Sequence, residues 1–230
     1  MAVFKYASRE VSRRSAQIMV PYIVEVTKAR SVIDVGCGLG SWLLAYLENG
    51  LDIKGLDNCH VLTEDTLVDK AVVQVVNFEK GYPKLEKADL VNCLEVAEHI
   101  DPSAADGFLD FLVGLSDVIV FSAAFPGQGG FEHKNEQYPQ YWRDRFAARG
   151  YVFLDAFRPV FWQNSEIALW YRQNMFLVVK KEIASRFAIP VWDGNVYILP
   201  EMYEAKIRKI EELKGKRLSR KLKKVFGFFR

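Results

Sequence analysis

Seven short apolar runs, rich in β-branched and aromatic residues, recur along the chain with helix-like segments between them. The runs at 32–35, 90–94 and 118–121 are nearly continuous in apolar residues. Continuous runs of this kind are typical of parallel strands that helices cover on both faces. The pattern therefore predicts an α/β fold with a doubly wound, mostly parallel sheet. The predicted strands are 31–35, 52–56, 71–76, 88–94, 117–122, 151–157 and 174–180.

Helical patterns precede and follow this region. Residues 8–28 have the pattern of one or two helices, with Pro21 as a break or a helix start. After the seventh strand, a stretch with Pro190, Gly194 and Pro200 leads into a helical pattern that starts at Glu201. We expect one catalytic domain with its N-terminal helices at 1–183, a C-terminal extension at 184–213 and a tail at 214–230.

The charge is distributed unevenly, although the net charge is only +2. Residues 214–230 hold eight of the 31 Lys and Arg residues and none of the 29 Asp and Glu residues, so the rest of the chain is acidic. An acidic body argues against a nucleic-acid partner. The tail has a basic amphipathic pattern, which is typical of contact with an anionic membrane surface or with a partner protein. Its apolar positions at helical spacing are Leu218, Leu222, Val225, Phe226 and Phe229.

Neither a membrane-spanning run nor a secretory signal is visible in the sequence. The N-terminus MAVFKYASRE lacks the apolar stretch and the cleavage site of a signal peptide. We expect a cytoplasmic protein, peripheral on the inner face of a membrane if the tail binds lipid. Cys37, Cys59 and Cys93 are odd in number and have no CxxC spacing, which predicts reduced thiols rather than disulfides or a thiolate zinc site.

A glycine-rich turn, Asp34-Val-Gly-Cys-Gly-Leu-Gly40, follows the first predicted strand. Glycines at such a turn let the backbone approach a ligand closely. A dinucleotide fingerprint needs its third glycine at position 41, where this chain has Ser41. Asp34 also opposes a pyrophosphate and favours a cationic ligand.

The turn resembles the first motif of the class I S-adenosylmethionine-dependent methyltransferases, and further motifs follow in the expected order. Strand two ends in Gly55-Leu-Asp57 and strand three in Val76-Asn-Phe78, while Glu95-Val-Ala-Glu-His99 is similar to the EVxEH variant of small-molecule methyltransferases. The resemblance covers about residues 30–180. It implies a Rossmann-like sheet with an antiparallel last strand, S-adenosyl-L-methionine as cofactor, and methyl transfer.

The resemblance also assigns cofactor-binding residues. It implies that Asp57 holds both ribose hydroxyls and that Asn77 and Phe78 contact adenine. Taken singly, Asp57 could cap a helix and Asn77 could be a turn residue. Their shared place at consecutive carboxyl ends of strands favours a ligand, because open α/β sheets bind ligands at that edge. The expected set is Asp34, Gly36, Cys37, Gly38, Gly40, Trp42, Asp57, Asn58, Asn77, Phe78, Cys93, Leu94 and Glu95.

Methyl transfer to a hydroxyl requires an aligned acceptor and removal of a proton. His133, in the loop after strand five, is the predicted general base, with His99 second and Glu98 orienting a histidine. The alternatives are a capping or packing role for His99 and a hydrogen-bonded loop residue for His133. His60 is expected at the surface.

The loop at 125–142 combines glycines with polar and aromatic residues, a composition suited to lining a pocket. Its pattern GGxxHxNEQxxxYW, with Trp170-Tyr-Arg-Gln-Asn174, is similar to methyltransferases of glycan and polysaccharide biosynthesis. Polar side chains beside aromatic faces suit a sugar. The expected acceptor-binding residues are Gln128, Asn135, Gln137, Trp142, Tyr171 and Arg172.

Other functions remain open at this stage. His99, His133 and nearby carboxylates could converge on magnesium or zinc, but two histidines in separate loops are no metal motif, and no metal is predicted. The acceptor could instead be a quinone-like compound, a lipid or another small metabolite. A nicotinamide-dependent reductase or a non-catalytic nucleotide-binding module is the alternative of another class. No GxSxG nucleophile elbow is present.

Overall fold

A computed structural model of the chain describes residues 2–58 and 65–227, with side chains described for 10–58 and 65–216. Seven strands form one sheet, as the sequence predicts. The strands are β1 Ser31–Val35, β2 Asp52–Asp57, β3 Val73–Val75, β4 Leu90–Leu94, β5 Val118–Ser122, β6 Tyr151–Leu154 and β7 Phe176–Lys180. The α-helices are α1 Ala2–Thr27, α2 Ser41–Glu48, α3 Ala105–Leu115, α4 Pro139–Ala147, α5 Arg158–Phe161, α6 Leu169–Asn174 and α7 Pro200–Gly227.

The strand order is β3-β2-β1-β4-β5-β7-β6. Strands β1 to β5 are parallel to one another, whereas β7 pairs antiparallel with both β5 and β6. The predicted Rossmann-like sheet with an antiparallel last strand is therefore confirmed. The order reverses at β1, between β2 and β4, and the carboxyl ends of these strands form the crevice in which such sheets bind ligands.

Alternating strand residues build a hydrophobic core on each face of the sheet. Ile33 and Val35 of β1 pack on the face that α3 and α4 cover, while Val32 packs on the face that α1, α2 and α6 cover. Along β7, Phe176 and Leu177 divide between the two faces in the same way. Both faces are buried, which accounts for the nearly continuous apolar runs in the sequence.

Helix α1 differs from its prediction, because Pro21 lies inside one continuous helix. Proline removes a backbone donor from the helix interior and disfavours this conformation. Met19, Val20 and Ile23, however, are fully buried in the core beside α2 on both sides of Pro21, which is itself exposed. Packing of the apolar face therefore holds the helix together across the proline.

Strand β3 is also shorter than predicted. Lys70–Val72 form a turn of 3-10 helix, and Asp69 caps it by accepting a hydrogen bond from the N–H of Ala71. A side chain that caps a turn satisfies backbone donors that would otherwise extend the strand. The strand therefore begins at Val73.

The chain divides into two compact units, residues 1–196 and residues 197–230. The second unit consists mainly of α7, which agrees with the helical pattern predicted from Glu201 and continues into the basic tail. The side chains of the apolar tail positions beyond 216 lie outside the described residues, as do His60 and Cys59. Cys37 and Cys93 are buried free thiols. No helix in the described part of the chain is long and apolar enough to span a membrane.

Candidate active site

The glycine turn passes from β1 into α2 at the crevice of the sheet. Gly36 has a φ of 80°, and a Cβ placed on it would lie 2.2 Å from Cγ2 of Val96. The backbone N–H groups of Gly36 and Cys37 donate to the carbonyl of Leu56, at 2.7 and 3.3 Å. The N–H of Gly38 donates to Oδ2 of Asp57 at 2.8 Å. The turn is thereby fixed against the end of β2.

Asp34 lies beneath this turn and is almost completely buried. Its Oδ1 accepts a hydrogen bond from Nδ2 of Asn92 at 2.8 Å, and Asn92 in turn accepts from the hydroxyl of Tyr46 at 3.1 Å. Its Oδ2 has no hydrogen-bond partner among the described residues. Burial raises the pKa of Asp34 to about 7 despite the bond from Asn92. This oxygen is an unsatisfied acceptor beneath the glycine turn.

A cavity of about 580 Å³ opens at the carboxyl ends of β1, β2, β3 and β4. Six of the predicted cofactor-binding residues line it, and so does His99. The predicted cofactor residues in the lining are Gly36, Asp57, Asn58, Asn77, Phe78 and Glu95. At this end Asn77 Oδ1 also accepts from the N–H of Glu79 at 2.9 Å, and Phe78 packs edge-on against Phe108. Asn77 is thus both a turn residue and a cavity residue.

Glu95 follows β4 with a φ of 55°, which is rare for a residue other than glycine. Its carboxylate accepts from Nε2 of Gln128 at 2.6 Å and from Nδ2 of Asn174 at 3.3 Å, and Asn174 also donates to Gln128 at 2.8 Å. Burial raises the pKa of Glu95, and these hydrogen bonds oppose the rise. Strained backbone held by a network of this kind is typical of functional sites.

Glu98, His99 and His133 meet beside Glu95. We refer to these three residues as the Glu98–His99–His133 cluster. One ligand-type atom from each residue lies within 4.8 Å of the other two. The two imidazole rings pack edge to face, with centroids 4.9 Å apart. His99 lines the cavity, whereas His133 lies behind it with its side chain 12% exposed.

Hydrogen bonds fix both loops that carry this cluster. Nδ1 of His133 lies 2.8 Å from Oε1 of Glu136, whose carboxylate also accepts from the N–H groups of Gly127 and Gly129. Although burial alone raises the pKa of Glu136, these bonds bring it below its usual value. The carbonyl of Glu98 accepts from the N–H groups of Lys134 and Asn135, at 2.8 and 2.9 Å. The loop after β5 is therefore joined to the turn after β4.

Several predicted residues lie away from the cavity. Trp142 is 1% exposed and packs against Phe121 in the core, because it lies on the inner face of α4. Trp42 and Tyr171 pack against each other between α2 and α6. Arg172 is buried and donates to the carbonyl of Trp162 at 2.9 Å. These four side chains support the fold around the site and are not brought to the cavity.

The remaining predicted residues lie behind the lining or close to it. Asn135 is buried and accepts a hydrogen bond from Gln137 at 3.0 Å, while Gln128 reaches the site through Glu95. Gly38 and Gly40 belong to the glycine turn but do not line the cavity. Cys37, Cys93 and Leu94 are buried.

The structure adds residues that the sequence analysis did not assign. Phe131, Glu132 and Lys134 line the cavity from the loop after β5, and Asn174 joins the Glu95 network. Glu136 could have been predicted from its spacing, because a carboxylate three residues after a histidine can accept a hydrogen bond from the ring N–H. Asn174 gave no local signal, because its contact with Glu95 depends on the antiparallel return of β7.

The sequence matches the methyltransferase domain family over residues 4–112. This match, the seven-stranded sheet and the acidic and amide strand ends agree with one another. The chain therefore contains a region of the methyltransferase domain family within a methyltransferase-like fold. S-adenosyl-L-methionine is the cofactor that the sequence predicts.

Several solved methyltransferase structures have the same fold as this chain. An amino pentose methyltransferase from Micromonospora echinaspora, solved with bound cofactor, superposes with a TM-score of 0.56 at 14% identity, covering 77% of this chain and 96% of that one. Magnesium protoporphyrin IX methyltransferase from Synechocystis superposes with a TM-score of 0.52 at 15% identity, covering 74% of this chain and 84% of that one. A methyltransferase from Archaeoglobus fulgidus superposes with a TM-score of 0.51 at 21% identity, covering 66% of this chain and 77% of that one. A sequence comparison with curated proteins gives no significant match.

The residues of the crevice fit this cofactor. S-adenosylmethionine carries a cationic amino group and a sulfonium and supplies an electrophilic methyl group. The unpartnered buried Oδ2 of Asp34 suits a cationic group beside the turn. Gly36 in the turn and Asp57 at the end of β2 line the cavity and suit the nucleoside. The methyl acceptor must then approach from the side of the cavity that Glu95 and His99 line.

Proposed function

We propose that this methyltransferase methylates a sugar hydroxyl of a glycan or of a nucleotide- or lipid-linked sugar, in the cytoplasm. The observation that carries the proposal is the polarity of the cavity beyond the cofactor end. Glu95, His99, Glu132 and Lys134 line this part, which offers hydrogen-bond donors and acceptors of both charges. A hydroxyl-rich acceptor pairs with such groups.

Phe131 complements these polar groups. It lies in the cavity lining, and 82% of its surface is exposed. An exposed aromatic face next to charged side chains suits the C–H surface of a sugar ring. The amino pentose methyltransferase with the same fold acts on a sugar, by its description. A quinone-like acceptor would instead need a flat apolar slot, so it is the second candidate.

The Glu98–His99–His133 cluster is the group that we propose activates the acceptor hydroxyl. The cluster meets the cavity at His99 and is anchored from behind by Glu136. Burial and the neighbouring His133 charge lower the pKa of His99, so this ring is neutral at pH 7. Gln128 and Asn135 hold the loop in place around the cluster.

Methyl transfer to defined acceptors tests this function. The protein is incubated with labelled S-adenosylmethionine and with sugar nucleotides, lipid-linked saccharides or hydroxylated quinols, and the products are identified by mass. Label in a sugar O-methyl group is the expected result. Label only in the quinols or in a protein fraction contradicts the sugar assignment and supports the second candidate.

His133→Ala tests the role of the cluster. We expect turnover to fall by about 10²–10⁴-fold, the usual range for losing an activating group. Affinity for S-adenosylhomocysteine stays unchanged, because His133 does not line the cofactor end. Asp110→Asn, an exposed change on α3, is the control. Full turnover by His133→Ala on the true acceptor would contradict the assignment.

We also propose that residues 214–230 contact an anionic membrane surface, on which a lipid-linked sugar would be present. Helix α7 extends into this segment. In its described part, Tyr203, Ile207, Ile210 and Leu213 recur at helical spacing, and all four are exposed. An exposed apolar stripe that continues into a basic segment is typical of helices that lie on membranes.

A further inference from the structure

Beside the acceptor end of the cavity lies a set of side chains that no step of cofactor binding uses, and one of them lines the cavity. It is the Glu98–His99–His133 cluster, with one ligand-type atom from each residue within 4.8 Å of the other two. Ligand atoms around an ion with bonds of about 2.1 Å lie roughly 3.4 Å apart, so a small closure would bring all three into contact with one ion. We propose that the cluster binds a divalent transition-metal ion.

Glu98 gives the strongest reason. Its side chain is fully buried, and neither carboxylate oxygen has a hydrogen-bond partner among the described residues. A buried carboxyl group without a partner is costly, and metal coordination is one of the few arrangements that compensates it. A bound cation would favour the ionised form.

The two histidines are oriented as metal ligands usually are. Metal-binding histidines commonly donate their second ring N–H to a carboxylate or a backbone carbonyl. Nδ1 of His133 faces the ionised carboxylate of Glu136 at 2.8 Å, and Nδ1 of His99 faces the carbonyl of Glu132 at 3.4 Å. These contacts favour the neutral tautomer with the proton on Nδ1, in which Nε2 is the atom that can bind an ion.

The cluster is also held together before any ion binds. The carbonyl of Glu98 accepts hydrogen bonds from the N–H groups of Lys134 and Asn135, the two residues that follow His133. Gly130 lies beside Nε2 of His133, where any Cβ would come within 2.0 Å of this atom and block it, so only glycine leaves it accessible. Ligands from two different loops are thus kept close together, which lowers the entropic cost of binding an ion.

The ligand types select the ion. Two imidazoles and one carboxylate suit zinc, cobalt, iron, nickel or manganese, whereas calcium and magnesium favour oxygen ligands. Three protein ligands leave at least one position open, as in catalytic metal sites. His99 lies on the cavity wall, so the open position would face the acceptor.

The chemistry of this site rests on the proposed function. The ion withdraws electron density from the acceptor hydroxyl and lowers its pKa, and the proton passes to solvent water. The oxygen lone pair then forms a bond to the methyl carbon while the carbon–sulfur bond breaks, with both electrons going to sulfur. His133 and His99 act in this scheme as ligands rather than in the general-base role predicted from the sequence, and the proposed site departs from the expectation of no metal.

Metal titration of the full chain tests the proposal without an acceptor. The protein is stripped with a chelator and titrated with Co²⁺, and visible absorption and calorimetry are recorded. We expect one equivalent to bind with the ligand-field spectrum of an imidazole site, and Mg²⁺ to bind far more weakly. Glu98→Gln and His133→Ala should each weaken Co²⁺ binding by more than about 100-fold. Glu136→Gln, which removes the negative charge facing Nδ1 of His133 and one acceptor oxygen of the loop, should weaken it by about 10–100-fold.

The controls separate this proposal from the proposed function. Glu25→Gln, an exposed change on α1, should bind Co²⁺ like the unaltered protein. S-adenosylhomocysteine affinity and the unfolding temperature are measured for every variant, and His99→Gln replaces any variant that fails to fold. Absence of stoichiometric Co²⁺ and Zn²⁺ binding, or equal binding by the ligand variants, overturns the metal site. If S-adenosylhomocysteine still binds, the methyltransferase assignment is unaffected.

Discussion

At the scale of single residues, Asp34 connects burial with cofactor binding. Its carboxyl group has a pKa of about 7 in the folded protein, and a cationic ligand needs it ionised. Protonation therefore competes with the ligand, so S-adenosylhomocysteine affinity should rise about tenfold per pH unit up to pH 7 and then level off. Calorimetry between pH 5.5 and 7.5 measures this rise.

Asp34→Asn should abolish this pH dependence and bind S-adenosylhomocysteine as weakly as the protonated protein does. Asp52→Asn, an exposed change on β2, should retain it. Folding stability changes in the opposite direction. Asp34 ionises near pH 3.8 in the unfolded chain but near pH 7 in the folded protein, so its contribution to the unfolding free energy falls as the pH rises from 3.8 to about 7. A pH-independent affinity in the unaltered protein would contradict the role of Asp34.

Gly36 allows a separate test of the turn. Gly36 and Gly50 both have positive φ, at 80° and 83°, but only Gly36 faces a close neighbour, Cγ2 of Val96. Gly50→Ala should lose about 1–2 kcal/mol of unfolding free energy through backbone strain alone. Gly36→Ala should lose roughly 1–3 kcal/mol more by overpacking, and it should also lose cofactor affinity.

Denaturant unfolding and calorimetry measure both effects. Adding Val96→Ala to Gly36→Ala removes the atoms that a Cβ would meet and should recover part of the stability. Equal losses for the two single variants would show that the approach of Val96 is unimportant.

At the scale of secondary-structure elements, Pro21 tests how packing overrides local preference. Pro21→Ala restores a backbone donor within α1 and should raise the unfolding free energy by about 1–3 kcal/mol. Glu25→Ala, one turn further along the same exposed side, is the control and should change little. Thermal and denaturant unfolding give the comparison. A lower unfolding free energy for Pro21→Ala would contradict this and would mean that the proline stabilises α1.

The elements were predictable where a local pattern decides them. Buried parallel strands leave continuous apolar runs, so β1, β4 and β5 could be placed from the sequence. The continuity of α1 could not, because it depends on Met19 and Ile23 packing beside α2 on both sides of Pro21. The start of β3 could not be predicted either, because the Asp69 side chain caps a turn of 3-10 helix at Lys70–Val72 and delays the strand.

The site follows the same rule. Asp57, Asn77 and Glu95 could be predicted because they stand at strand ends that share one edge of the sheet. The place of Trp142 could not, since its pattern fits a pocket and a core equally well. The proximity of His133 to Glu98 could not be predicted from the sequence either, because a loop of glycines and polar residues has no periodicity that indicates its path.

At the scale of the whole molecule, the chain separates a catalytic unit from a helical one. Every residue that lines the cavity lies within residues 1–196. A chain ending at Leu213 should therefore keep its affinity for S-adenosylhomocysteine. It should lose binding to phosphatidylserine vesicles, because each basic residue near such a surface contributes about 1 kcal/mol.

Vesicle sedimentation at low and high salt measures this contact. Binding of the full chain should weaken as salt is added, and neutral phosphatidylcholine vesicles serve as the control. Equal vesicle binding by the full and shortened chains would contradict a membrane role for the tail.

The two hydrogen bonds from Lys134 and Asn135 to the carbonyl of Glu98 have a consequence for how this enzyme could change during evolution. They use backbone atoms only, so they are kept whatever side chains the loop carries. Phe131 and Glu132 lie just before this anchor and face the cavity. Mutation at these two positions can thus alter which acceptor is accepted while the groups that activate it keep their positions.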